Sequence, residues 1–159
     1  RYFNASGAAL DGSNGENHNP ETHIIPLATR AAIEGSEFKL YGTDYNTPDR
    51  TCIRDYIHVL DLVEAHILAL KKIRQDSGGY YYNVGTGNGY SNRQVIAKIE
   101  TLNGRKINVR EEARRPGDPN QLVADPTKIK SELGFEPKYS DLETIIDSAW
   151  KWHNKLVNS

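Results

Sequence analysis

Two kinds of hydrophobic periodicity alternate along this chain, and their alternation limits the folds that it can adopt. Apolar residues three and four positions apart, as in Ile24, Leu27 and Ala31, predict amphipathic helices. Between these segments lie short runs rich in β-branched and aromatic residues, such as residues 38–41 and 107–109, which predict strands. Helices that alternate with short strands favour an α/β fold. We therefore expect a small mixed sheet with surrounding helices.

Capping signals indicate where the helices begin and end. Asp61 is a good N-cap, and Ser91 and Ser140 each open a capping box. Gly35 is a typical stop signal for the first helix. The predicted helices span residues 24–33, 61–73, 91–103, 125–134 and 140 to about 153.

The predicted strands and the first residues indicate how the chain is organised. Strands are expected at residues 38–41, 54–59, 80–84 and 107–109. The chain opens on R-Y-F-N, which is typical of the end of a buried strand, whereas a native terminus is usually polar and loosely tied. The sequence also contains no methionine. We therefore expect the chain to be a fragment of a longer protein.

The charge balance and the single cysteine argue against several classes of function. The 20 basic and 21 acidic side chains leave a net charge of −1, so neither nucleic acid nor an anionic membrane is expected as a partner. Cys52 has no second cysteine with which to form an internal disulfide. No apolar run reaches the roughly 18 residues of a membrane span, and no signal peptide opens the chain, so a cytoplasmic location is expected.

Two glycine-rich segments are candidates for ligand-binding loops. Residues 6–22 form a long Gly/Asn/Pro-rich connection of the kind that is often functional. Residues 85–90, G-T-G-N-G-Y, follow a predicted strand and precede a helix, as a dinucleotide-binding loop does. Their third glycine stands one position early for G-x-G-x-x-G. A tight turn that requires a positive φ is the better interpretation.

Two polar segments could contact an anionic ligand. Residues 114–118, R-R-P-G-D, are either a solvated loop or an anion clamp, because arginine binds phosphate with two parallel hydrogen bonds and a nearby carboxylate can accept from ribose. Residues 52–59 place Arg54, Tyr56 and His58 on one face of a strand. That face is either the wall of a ligand site or the wet side of an edge strand. The patterns alone leave both pairs of alternatives open.

Thiol and metal chemistry are not predicted. Cys52 and His58 could suggest a nucleophile and its base, but nothing in the sequence orients the histidine. His18 and His23 lack the H-E-x-x-H arrangement, and Pro20 between them interrupts any helix, so no metal ligand is assigned.

Five segments, taken in order along the chain, point to a known family. They are residues 1–5 (R-Y-F-N-A), 20–26 (P-E-T-H-I-I-P), 41–49 (Y-G-T-D-Y-N-T-P-D), 51–59 (T-C-I-R-D-Y-I-H-V) and 114–118 (R-R-P-G-D). Together they closely resemble the UDP-glucose 4-epimerases, which are extended short-chain dehydrogenase/reductases. The resemblance runs over essentially all 159 residues, and residues 51–59 are its most specific part.

The resemblance implies a two-lobed enzyme that acts as a homodimer. An amino-terminal Rossmann lobe would hold NAD, and residues 1–159 would be the carboxy-terminal lobe that binds UDP-glucose or UDP-galactose. Residues 1–5 would be the end of a Rossmann-lobe strand, with the rest of that lobe mostly absent, and Phe3 would contact the nicotinamide end of NAD. In this family the tyrosine of a Tyr-x-x-x-Lys pair removes the proton of the sugar 4-hydroxyl while hydride passes to NAD. The keto intermediate turns over and takes the hydride back on its other face.

Substrate-binding roles carry over residue by residue. Residues 39–41 would line the uracil slot, Arg54 and Arg115 would hold the diphosphate, and Asp118 would accept from the ribose. Leu122 falls where the family has a residue that limits the size of the sugar. The implied substrate-binding residues are Asn4, His23, Ile24, Lys39, Leu40, Tyr41, Arg54, Arg115, Pro116, Gly117, Asp118 and Leu122.

The chain departs from the family pattern in ways that limit what it can do. It has no glycine-rich NAD loop and no tyrosine four positions before a lysine, so no catalytic residue is assigned. His23 stands where many members have asparagine, and Arg50 replaces a usual glycine, which questions the local turn. The rival interpretations are another nucleotide-sugar epimerase or dehydratase, a free-standing nucleotide-sugar binding module, and a purely structural α/β domain.

Overall fold

Helices alternate with short strands along the folded chain, which confirms the predicted α/β class. The structure, a computed structural model, describes residues 1–76 and 78–158. In chain order the elements are β1 (Asn4–Ser6), α1 (Ile24–Glu34), β2 (Glu37–Tyr41), β3 (Ile53–Arg54), β4 (Tyr56–His58), α2 (Val59–Gln75), β5 (Tyr90–Ser91), α3 (Asn92–Asn103), β6 (Asn108–Glu112), β7 (Gln121–Leu122), α4 (Thr127–Leu133) and α5 (Leu142–Val157).

The main core lies among α1, α3 and α5 and the inner face of β2. Ile25, Ile99, Ile145 and Ile146 bring the apolar stripes of the three helices together, and Leu40 of β2 closes the core. The last of the predicted helices, α5, contributes its apolar residues to this core. Burying one such side chain stabilises the fold by about 1.5–3 kcal/mol, so this helical layer is the principal support of the neighbouring strands.

A second, smaller core lies on the other side of β4. Ile57 packs there with Leu62 of α2, Ile129 of α4 and Phe135. Tyr56, the preceding residue, belongs to the main core instead. Successive residues of a strand point to opposite faces, and so β4 separates the two cores.

The strands form three small sheets where a single sheet was predicted. Parallel pairs β1–β4 and β2–β6 are separate from a mixed sheet in the order β5–β3–β7. The strand predicted over residues 54–59 is interrupted at Asp55, because its two halves pair with different neighbours. The Asp55 N–H donates to Leu122 in the mixed sheet, at 3.2 Å, and its carbonyl accepts from the Asn4 N–H, at 3.0 Å. The chain thereby passes from one sheet to the next at this residue.

The predicted N-caps of two helices are wrong, because the two predicted capping residues, Asp61 and Ser140, form a hydrogen bond with each other. Helix α2 begins at Val59 with the His58 ring accepting from the Leu60 N–H, so Asp61 is not the N-cap. The buried Asp61 carboxylate instead accepts from the Ser140 hydroxyl at 2.5 Å. Since Ser140 is engaged there, Asp141 caps α5 in its place. Among the described residues no helix combines the length and apolarity that crossing a membrane requires.

The glycine-rich turn and the segment before it also differ in detail from expectation. Residues 80–84 do not form the predicted strand: within this segment only Val84 forms a β-bridge, with Tyr2, and its N–H donates to the Arg1 carbonyl at 2.7 Å. The turn at residues 85–90 has Gly87 at a φ of 83°, as the tight-turn interpretation requires. The Asp55 carboxylate accepts from the Thr86 and Gly87 N–H groups, at 2.9 and 3.0 Å. This acid therefore fixes the turn.

Candidate functional site

One cavity gathers most of the residues that the sequence singled out. It has a volume of about 280 Å³ and lies between β1, the start of α1, β2, β3–β4 and the loop that carries Arg115 and Asp118. Nine of the twelve predicted substrate-binding residues line it. They are Asn4, His23, Ile24, Lys39, Leu40, Tyr41, Arg54, Arg115 and Asp118.

Arg54 is the buried cation of this cavity. Only 9% of its surface is exposed, and its guanidinium forms an ion pair with the Asp118 carboxylate. A second nitrogen donates to the Ile53 carbonyl at 2.7 Å. Strand β3 holds the arginine in place, because it pairs with β5 on one side and β7 on the other. The wet edge strand considered from the sequence is therefore wrong for this segment.

Asp118 joins two sides of the cavity. Besides Arg54, it accepts a hydrogen bond from the Tyr45 hydroxyl at 3.3 Å. Burial, with the Asp118 charge as the next cause, raises the pKa of Tyr45, which keeps this phenol protonated and able to donate. The carboxylate remains partly exposed, so a ligand hydroxyl has access to it.

Arg115 and its neighbour Arg114 each stack on a tyrosine. The Arg115 guanidinium lies 4.3 Å from the centre of the Tyr41 ring, on the wall of the cavity. Arg114 lies 4.2 Å from the centre of the Tyr45 ring and forms an ion pair with Asp44 at 2.6 Å. Arg115, by contrast, has no carboxylate partner among the described residues. It is thus the arginine that is free to meet an anion.

The remaining predicted residues lie outside the cavity lining. Pro116 and Gly117 form the turn between Arg115 and Asp118, where the Asp118 N–H donates to the Arg115 carbonyl at 3.3 Å. Leu122 pairs with Arg54 in the mixed sheet but is 47% exposed. The predicted roles of these residues stay predictions.

Tyr56 and Cys52 also line the cavity, although neither is among the twelve predicted substrate-binding residues. Tyr56 is 2% exposed, and its hydroxyl has no hydrogen-bond partner within the described part of the chain. Burial raises the pKa of the Tyr56 phenol well above its usual value, and burial likewise raises the pKa of the Cys52 thiol. Cys52 and Tyr56 are each two positions from Arg54, so strand alternation places all three side chains on the same face. This alternation is the sequence signal for their position at the cavity. His58 follows the same alternation, but it is buried against Ser148 at 3.1 Å, away from the cavity.

Phe3 lies at a second, neighbouring cavity of about 650 Å³. The two cavities share Asn4 and His23, so a ligand in one would approach a ligand in the other. The second cavity is lined by β1, the following loop and the start of α2, and several of its lining side chains are apolar, among them Phe3, Leu60 and Val63. Such a surface suits the edge of a ring system.

Comparison with known proteins identifies the family. A family model described as GDP-mannose 4,6 dehydratase matches residues 1–148. The chain belongs to this family. The chain is also 46% identical to the UDP-glucose 4-epimerase of Streptococcus mutans over 155 residues, which is 97% of this chain. It spans only 46% of that relative, that is, about half the length of the curated proteins that it matches.

Solved structures of UDP-glucose 4-epimerases share the fold of this chain. The crystal structure of the Brucella ovis UDP-glucose 4-epimerase in complex with NAD is 51% identical, with a TM-score of 0.90 over 97% of this chain and 48% of that one. The Bifidobacterium longum enzyme in complex with NAD⁺ and UDP is 37% identical, with a TM-score of 0.92 over 99% of this chain and 47% of that one. These comparisons confirm the resemblance to UDP-glucose 4-epimerases and the predicted lobe of an extended short-chain dehydrogenase/reductase.

Proposed function

We propose that this chain is the UDP-sugar-binding lobe of a UDP-glucose 4-epimerase, which interconverts UDP-glucose and UDP-galactose by transient, NAD-dependent oxidation of the sugar 4-hydroxyl. The observation that carries the proposal is the pairing of a buried arginine, Arg54, with a ring-stacked arginine, Arg115, on the wall of one cavity. Two arginines facing a small cavity suit a diphosphate, because guanidinium groups bind phosphate oxygens with charge-assisted hydrogen bonds. The names of the relatives support the same substrate class.

The surroundings of the two arginines suit the rest of a UDP-sugar. Residues 39–41 provide a partly apolar wall with an aromatic ring, on which a uracil base can lie. The Asp118 carboxylate can accept from ribose hydroxyls while it keeps its ion pair with Arg54. Asn4 has its side-chain N–H group committed to the Asp55 carbonyl at 3.0 Å, which holds its amide at the cavity.

The oxidation step would depend on groups outside this chain. NAD, when bound, would supply the hydride acceptor, and Phe3 at the second cavity would contact its nicotinamide end. The 159 residues contain neither the Tyr-x-x-x-Lys pair nor a glycine-rich pyrophosphate loop. In this proposal the chain therefore binds and orients the UDP-sugar, while the proton and hydride transfers belong to the amino-terminal lobe.

An exposed apolar face supports the proposed division into lobes. Val63, Ile67, Leu70 and Ile73 lie three or four positions apart on α2, and each is between 41% and 53% exposed. Such a stripe usually packs against another element. Since the relatives are about twice as long as this chain, we propose that the face packs against the rest of a longer, homodimeric enzyme.

Binding of UDP to arginine variants tests the proposal. Arg54→Ala and Arg115→Ala should each weaken UDP binding about 10- to 150-fold, since an arginine–phosphate contact contributes about 1.5–3 kcal/mol. Arg74→Ala is the matched control, because Arg74 is exposed on α2 and outside the cavity. Isothermal titration calorimetry gives the dissociation constants, and circular dichroism checks the fold. Constants within about twofold of the parent for both cavity variants would refute the clamp.

Arg54 needs one further variant, because it also stabilises Asp118. Arg54→Ala leaves that carboxylate without its cation, and so a loss of binding could reflect local rearrangement. Arg54→Lys keeps the positive charge but cannot form the two-pronged contact. An intermediate loss of UDP affinity in Arg54→Lys, with an unchanged melting temperature, would assign the effect to the phosphate contact.

The family description favours a dehydratase as the second candidate. The two activities differ in their products: an epimerase converts UDP-galactose into UDP-glucose without a change in mass, whereas a dehydratase releases water. Because this chain lacks the catalytic pair, the test uses the longer enzyme that includes the amino-terminal lobe. After incubation of UDP-galactose with that enzyme and NAD, chromatography detects UDP-glucose and mass spectrometry detects a loss of water. A product lighter by one water would replace the epimerase assignment, and tight binding of UDP without turnover by the longer enzyme would favour a binding module.

A further inference from the structure

Four side chains that can ligate a metal converge where the long loop before α1 ends. Glu16, His18, Glu21 and His23 each offer one ligand atom, and these atoms all lie within 4.8 Å of one another. The His23 Nδ1 atom lies 2.9 Å from an oxygen of both Glu16 and Glu21. Two carboxylates thus approach the same imidazole, and their repulsion is the kind that a divalent cation relieves.

A fifth residue, His153, lies in a cleft with three of these side chains but belongs to a different element, α5. His153 of α5 is 4% exposed, and its Nδ1 atom has no hydrogen-bond partner among the described residues. It lines a cleft of about 290 Å³ together with Glu16, His18 and Glu21. Buried nitrogens without a partner are rare in folded proteins, since leaving one unsatisfied costs about 1–3 kcal/mol. A metal-bound water in the cleft would give this nitrogen its missing partner.

Hydrogen bonds hold the loop at both ends of the set of four possible ligands. The indole N–H of Trp152, next to His153, donates to the Glu16 carbonyl at 2.7 Å. At the other end, the Glu21 carboxylate accepts from the His23 N–H at 2.8 Å. Both ends of the ligand set are therefore held by the fold, whereas the exposed side chain of His18 can still rotate.

We propose that Glu16, His18, Glu21 and His23 form a binding site for a divalent metal ion of the zinc class. Two imidazole nitrogens and two carboxylate oxygens suit Zn²⁺, which is usually four-coordinate with ligands at about 2.0–2.2 Å. Mg²⁺ and Ca²⁺ prefer oxygen ligands alone, and thiolate-seeking metals find no cysteine here. Tetrahedral Zn²⁺ needs its ligand atoms about 3.3–3.5 Å apart, so closure around the ion requires only small rotations of these side chains, two of which, His18 and His23, are exposed.

The site would connect the loop to the candidate substrate cavity. His23 lines that cavity as well as the metal cluster, so a bound ion would fix this side chain at the wall of the cavity. The H-E-x-x-H criterion missed the cluster, because that criterion describes ligands on one helix. Here a loop brings the four residues together, and α5 supplies the fifth group from about 130 residues further along.

Metal titration of the purified protein tests the proposal. After removal of metals with a chelator, Zn²⁺ is titrated by calorimetry, and Co²⁺ serves as a second probe whose visible absorption reports tetrahedral coordination. We expect one equivalent of Zn²⁺ to bind, a tetrahedral Co²⁺ spectrum, and no binding of Mg²⁺ under the same conditions. Absence of Zn²⁺ binding in the parent protein would overturn the proposal.

Variants distinguish the cluster from scattered surface histidines. His18→Ala and Glu16→Gln should each weaken Zn²⁺ binding at least tenfold, and neither residue lines the candidate substrate cavity. His66→Ala is the matched control, because His66 is exposed on α2, away from the cluster. Circular dichroism confirms that the variants remain folded. Equal Zn²⁺ affinity in His18→Ala and His66→Ala would show that the ion binds elsewhere, and the proposal would fall.

Discussion

Replacing Arg50 with glycine should stabilise the protein, although it removes a whole side chain. Arg50 has a φ of 66°, and it is the only non-glycine residue with positive φ in the described part of the chain. Its backbone is held there, since its N–H donates to the Thr47 carbonyl at 3.1 Å and its carbonyl accepts from the Tyr45 N–H at 3.0 Å. The left-handed conformation costs a residue with a Cβ atom about 1–2 kcal/mol.

Glycine avoids that cost but loses more backbone entropy on folding, by about 0.4–1 kcal/mol. The difference predicts a net gain of about 0.5–1 kcal/mol in the free energy of unfolding. For a chain of this size the melting temperature should rise by about 1–4 °C. Differential scanning calorimetry of Arg50→Gly beside the parent measures the shift.

Arg50→Ala is the control that separates the effect of the backbone conformation from the loss of the arginine side chain. It removes the same charge and most of the same atoms but keeps the Cβ atom, so it should not raise the melting temperature. If Arg50→Gly melts at or below the temperature of Arg50→Ala, then the turn is not strained and the reasoning is wrong.

Three further predictions concern the cavity and its rim. In the full-length enzyme, Leu122→Ala should raise kcat/KM for UDP-N-acetylglucosamine relative to UDP-glucose, and Leu122→Tyr should lower this ratio, within the roughly 10- to 200-fold range of steric selectivity. An unchanged ratio would show that this residue does not face the sugar. Tyr56→Phe should raise the melting temperature, because it removes a buried hydroxyl that has no partner among the described residues. The same variant should weaken UDP binding about 2- to 12-fold, because the ligand would supply the missing hydrogen bond; calorimetry measures both effects, and an unchanged dissociation constant would show that the hydroxyl does not contact UDP. Because burial raises the pKa of Cys52, only a small fraction of this thiol is ionised at a pH of about 8, and iodoacetamide should alkylate it more slowly than free cysteine. The alkylation rate should increase as the pH rises. Bound UDP should lower the rate, because Cys52 lines the cavity. Mass spectrometry follows the alkylation, and a rate equal to that of free cysteine would contradict the buried position.

Much of the fold could be predicted from local sequence. Helices α1, α3 and α5 lie close to their predicted positions, because an apolar stripe and a capping residue act over a few positions of the same chain. Ser91 forms the predicted capping box, and Gly87 has the predicted positive φ. The resemblance, carried by short ordered segments, also indicated twelve substrate-binding residues, of which nine line the candidate cavity.

The tertiary structure decided what depends on partners distant in sequence. Arg54 and Asp118 form an ion pair across 64 positions, and no periodicity reports such a contact. The same holds for Asp61, an apparent N-cap that binds Ser140 instead, 79 positions away. His153 faces the loop residues Glu16 and His18 only because α5 packs beside that loop. Local sequence determines which segments become helices and turns, since those preferences are short-range. Which charged and polar side chains meet is determined only when buried groups must find partners in the packed chain.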